Sequence, residues 1–147
     1  MNIEKYMVET TKALLKEKNK VMFWNYEDSF VISNDGHFAI VVPREKFIFN
    51  AESLGTFTGI LSPNWECHEM RYTNNCEQYG KKLFRVLESV SGKWKTLIDE
   101  KFLKYFDMNT NIKFYQSYEK AAVVVTEFGK LCAIIMPFVK KKLNVEI

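Results

Sequence analysis

The chain has 147 residues, 47% apolar and 15% aromatic, with 21 basic and 18 acidic side chains and a formal charge of +3. That is long enough for one domain with a real core, and too apolar for a disordered chain. The mild positive balance falls short of the clustered basic footprint of a dedicated nucleic-acid binder, and no apolar run nears the roughly 20 residues of a membrane helix.

The first 18 residues mix charges of both signs and lack a signal-peptide core. Cys67, Cys76 and Cys132 are odd in number and follow no framework spacing, so reduced thiols and a cytoplasmic location are expected. Ile3, Met7, Thr11, Leu14 and Leu15 share one helical face, predicting a helix that ends near Lys18. Three strands follow at 21–25, 30–33 and 37–42, with a turn at 26–29 and a hairpin at Asn34-Asp35-Gly36. Pro43, lacking an N–H, stops the ladder.

Residues 46–50, 56–61 and 65–72 are further strand candidates, punctuated by Gly55, Gly59 and Pro63. Asn74-Asn75 reads as the cap of a helix whose stripe is Leu83, Val86, Leu87 and Val90, ending at Ser91-Gly92. A strand at 94–98 leads into a short helix capped by Asp99, with Phe102, Leu103 and Phe106 facing inward. Strands at 112–117, 121–126 and 131–136 precede the basic run Lys140-Lys141-Lys142.

Segments 21–43 and 112–137 repeat one pattern. Phe23-Trp24 matches Phe114-Tyr115, Tyr26-Glu27 matches Tyr118-Glu119, and Gly36 matches Gly129. Ala39-Ile40 matches Ala133-Ile134 and Pro43 matches Pro137, with three one-residue insertions in the second copy. The expected fold class is therefore α+β: an antiparallel sheet backed by two or three helices, built from a duplicated helix–three-strand unit. The single domain divides into a first repeat over 1–43, an intervening unit over 44–93 and a second repeat over 94–139.

No motif for chemistry stands out. Cys67, His68 and Cys76 lack the second close pair that a tetrahedral zinc site wants, so no metal is expected. His37 follows a turn with no nucleophile motif to serve, and Glu66, Glu69, Asp99 and Glu100 read as solvated surface charge. Single glycines at Gly36 and Gly129 suit turns, not a phosphate cradle. No catalytic residue and no cofactor are assigned, and the chain is read as not an enzyme. The dense aromatics fit a core or an interface, with base stacking as the other reading.

The twice-repeated helix and three strands, each ending in an apolar strand and proline, resemble the DNA sliding-clamp fold of polymerase processivity factors. TLIDEKFLKYFD at 96–107 is similar to the clamp's strand leading into a short helix. LCAIIMPF at 131–138, and AIVVP at 39–43, are similar to its closing strand. The resemblance implies a non-enzymatic, replication-associated module that meets DNA or a replication protein. Lys12, Lys16, Lys81, Lys82 and Arg85 are the candidate nucleic-acid contacts. Two other readings stay open: a homo-oligomer joined through strand edges or aromatic patches, and a small-ligand domain with an aromatic pocket near Trp24 and Trp65.

Overall fold

A computed structural model describes residues 1–16, 20–49, 67–108 and 111–139. Turn residues punctuate runs rich in Val, Ile and aromatics, and the runs form strands: β1 (Met22–Tyr26), β2 (Ser29–Ser33), β3 (Phe38–Pro43), β4 (His68–Tyr79), β5 (Lys82–Ser89), β6 (Lys95–Asp99), β7 (Ile112–Gln116), β8 (Val123–Glu127) and β9 (Lys130–Ile135). They make one antiparallel sheet in the order β1-β2-β3-β9-β8-β7-β4-β5-β6.

Register lines up the core. Phe23, Ile32, Ile40, Ala133, Val125, Phe114 and Met70 sit directly opposite one another across successive strands. All of them join the main cluster, which the helix α1 (Ile3–Leu15) and the 3-10 segment Glu100–Tyr105 cover. Neighbours one residue along point the other way, as a two-residue period demands. Trp24, Val31, Val41, Ala39 and Ile134 make a smaller cluster on the opposite face.

The Asn2 side chain accepts from the Lys5 N–H and caps α1 at 3.0 Å. The helix buries Tyr6, Met7 and Thr10. The Tyr6 ring meets Phe38 and Tyr105 edge-on at 5.4 and 5.0 Å. Its hydroxyl donates to the Phe38 carbonyl and accepts from the Asn34 N–H, which ties α1 to the β2–β3 turn. The helix stops at Leu15; Lys18, its expected end, lies outside the described residues.

The expected α+β class is corrected by this architecture. Among the described residues the fold is sheet-dominated, with nine strands in one sheet and one α-helix of 13 residues. The stripe Leu83, Val86, Leu87 and Val90 belongs to β5 and its end, not to a helix. β5 pairs with β4 on one side and β6 on the other, and those ladders outweigh a helix-compatible spacing. Asn74-Asn75 caps nothing. It lies in a β4 bulge, where register shifts between Tyr72 and Cys76 and Thr73 Oγ1 donates to the Val86 carbonyl.

The short helix after Asp99 is a 3-10 segment, and Asp99 does cap it, accepting from the Lys101 N–H at 3.0 Å. Arg44–Lys46 is a 3-10 turn where a strand was expected to begin, because Pro43 ends the ladder. The strand candidate at 56–61 lies outside the described residues, as does the start of the one at 65–72.

The strand order reads the same outward from the β3–β9 pair: β3-β2-β1 on one side, β9-β8-β7 on the other. Ala39 pairs with Ile134 on one face, and Ile40 with Ala133 on the other. Matching Ala39-Ile40 to Ala133-Ile134 therefore reverses their faces. Matching Ile40 to Ala133 keeps the faces, and it is the spacing that also separates Gly36 from Gly129.

Candidate functional site

The five candidate basic residues fall in three environments. Lys12 is exposed on α1, and Lys16 is exposed at its C-cap. Lys81 and Lys82 are exposed at the β4–β5 turn, where Tyr79 pairs with Lys82 and Gly80 takes a positive φ of 63°. Arg85 is different. Its Nη2 and Nε donate to the two Glu100 carboxylate oxygens at 2.8 and 3.0 Å, and its Nη1 donates to the Thr73 carbonyl at 3.1 Å. The guanidinium also lies 4.8 Å from the Tyr72 ring centre. Hydrogen bonding to Glu100 raises its pKa further above the usual value. Arg85 is thus a brace between the β4 bulge and the 3-10 segment, and its donors are engaged inside the protein.

The structure adds two exposed lysines outside those five candidates. Lys101 and Lys104 are exposed on the 3-10 segment, over the rings of Phe102 and Tyr105. Asp99 and Glu100 neighbour them in sequence. However, Glu100 is spent on Arg85, and Asp99 caps the segment while holding Lys101 at 3.7 Å. Lys101 and Lys82 together wall a groove of about 190 Å³, with His37, Phe84, Phe102 and Phe138 among the other residues around it.

The remaining candidates separate. Cys67 faces Ser117 at 3.6 Å, the His68 ring packs on Trp94 at 5.1 Å, and Cys76 is exposed at the β4 bulge. Among the described residues, no three His, Cys, Asp or Glu side chains cluster for a metal. Buried Cys132 is pushed up to about 12 by desolvation, so its thiol stays protonated. His37 uses its backbone, the N–H on Asp35 and the carbonyl on Met136. Trp24 edges a pocket of about 110 Å³, well below the ~300 Å³ at which small-molecule sites begin. Trp65 lies outside the described residues. A wider depression of about 530 Å³ lies between Met1, Glu4, Lys104 and Glu127, beside the ion pair of the α-ammonium with Glu127.

Among the described residues, no helix is long and apolar enough to cross a membrane. Compared with known protein families, curated proteins and solved structures, the chain matches none.

Proposed function

We propose that the chain is a non-catalytic binding module resembling one sliding-clamp domain, acting in replication-associated contact with DNA or a polymerase-type protein. The observation that carries the reading is the strand order about β3 and β9. Two three-stranded meanders face each other across that pair, α1 precedes one, and the 3-10 segment precedes the other. The two preceding elements meet at Tyr6 and Tyr105. A two-unit arrangement of this kind is what the clamp resemblance implies.

The DNA arm of the reading rests on lysines. Lys12 stands on α1 and Lys16 at its C-cap, the helix packs on the segment carrying Lys101 and Lys104, and Lys101 shares a groove wall with Lys82. Arg85, engaged by Glu100, is left out of the set. The test is duplex-DNA binding followed by fluorescence anisotropy over a salt series. The expected result is salt-sensitive binding, with a log–log slope near −0.9 per phosphate contacted. Replacing Lys12, Lys16, Lys81 and Lys82 together by Ala should weaken binding and flatten that slope. Unchanged binding, or none at low salt, removes DNA and leaves the polymerase-type partner.

A further inference from the structure

The backbone takes an unexpected path after β9. β9 lies mid-sheet and β6 is the end strand, with four strands between them. Yet the next residues reach β6 at once. The Met136 N–H donates to the His37 carbonyl and the Phe138 N–H to the Leu97 carbonyl, both at 2.8 Å. Phe138 thereby forms an antiparallel bridge with Leu97 in the middle of β6. Its ring stacks on Phe84 at 4.2 Å and leans on Tyr79 at 5.4 Å. In effect, Pro137–Val139 is a short added strand with an aromatic anchor, seated in the groove beside Phe84 and Phe102.

This seat is lightly held. Phe138 is half-buried, and Met136 and Val139 are each 45% exposed. One bridge and the contacts of a single ring with Phe84 and Tyr79 fasten the segment, so local opening is cheap beside the core strands. Pro137 cannot extend the β9 ladder and works as a stiff link between two well-placed donors. The edge beneath matters too. Leu97 turns its carbonyl outward, so by the strand period Lys95 and Asp99 present backbone groups on the same side.

We propose that Pro137–Val139 is an exchangeable strand: the outer edge of β6 and the ring slot of Phe84 and Tyr79 accept this segment from a second copy of the chain. A second copy is the occupant because the slot already fits this segment, ring and backbone alike. Exchange is reciprocal, closes on itself as a two-fold dimer, and requires no contact that the monomer lacks. The intramolecular seat has an effective concentration of about 1 mM, so the free chain is monomeric at micromolar levels. The proposal is independent of the clamp-like reading.

Deleting Pro137 tests it in the full chain. The shortened link cannot serve His37 and Leu97 of one molecule together, whereas exchange with a partner is unconstrained. Sedimentation at tens of micromolar should show the deletion variant as a dimer and the unaltered chain as a monomer. Adding Phe138→Ala to the deletion should return it to monomer. A folded deletion variant that stays monomeric, or a dimer that survives Phe138→Ala, overturns the proposal. Amide hydrogen exchange on the unaltered chain provides a measurement that does not depend on the variant folding. The Phe138 amide should exchange at least ~100-fold faster than those of Ile40 and Val125, as local opening requires. Equal rates overturn the proposal as well.

Discussion

Gln116 has no exposed surface, and its amide joins four partners. Oε1 accepts from the Trp94 indole N–H at 2.9 Å. Nε2 donates to the carbonyls of Ala121 and Glu119 at 2.8 and 3.0 Å, and more weakly to Thr96 Oγ1 at 3.3 Å. One side chain thus ties β7, the β7–β8 turn, β6 and the residue before β6 into one network. Gln116→Ala strands the Trp94 N–H and the Ala121 carbonyl, whereas the Glu119 carbonyl keeps its bond from Thr96. Leaving such groups unpaired should cost about 3 kcal/mol, measured as a lowered urea midpoint. A loss under ~1 kcal/mol would show that water replaces the amide there.

The β4–β5 hairpin shows how a single residue sets an element. Gly80 holds a φ of 63°, and an added Cβ would meet no atom within 4 Å. The cost of Gly80→Ala is therefore backbone strain without a clash, about 1 kcal/mol by chemical denaturation. Gly80→Asn should cost less, since Asn tolerates that conformation. The same hairpin marks where sequence reading failed. β1 to β3 and β7 to β9 were legible because short apolar runs alternate between turn signals. β5 was not, because Leu83, Val86, Leu87 and Val90 also fit a helical period. In the fold, Leu83 and Val90 are exposed, and Phe84, Val86, Leu87 and Ser89 are buried. The missed signal was the pair of glycines, Gly80 and Gly92, bracketing a strand-length run. The candidate lysines could be read directly as exposed charge. The Arg85–Glu100 brace could not, since it exists only once β5 turns back on β6.

Across the whole molecule, one core stakes its integrity on protons staying in place. Tyr6, Tyr105 and Cys132 all lie in the main cluster. Burial pushes Cys132 from 9.0 up to about 12 and Tyr105 from 10.0 up to about 12, and it pushes Tyr6 upward too. The unfolded chain releases these protons near 9 and 10, while the folded chain keeps them. Stability is therefore fully present below the unfolded values and declines as pH rises toward the folded ones. Urea midpoints measured from about pH 8 to about pH 11 should fall from near pH 9 onward. In Cys132→Ala the decline should start one unit later, at the tyrosines. A midpoint that holds level to pH ~11 would contradict burial of all three groups.

The β3–β9 ladder has a consequence in time. Ile40 emerges from the ribosome early and Ala133 late, and at ~5–20 residues per second the delay is roughly 5–20 s. Until then β3, whose pairing side ends up mid-sheet, offers Val and Ile next to unmatched amides and carbonyls. Closing so long a loop costs a further ~4 kcal/mol of chain entropy. The nascent first half is thus the vulnerable species during synthesis, and holdase chaperones acting on that interval should govern the yield of native chain.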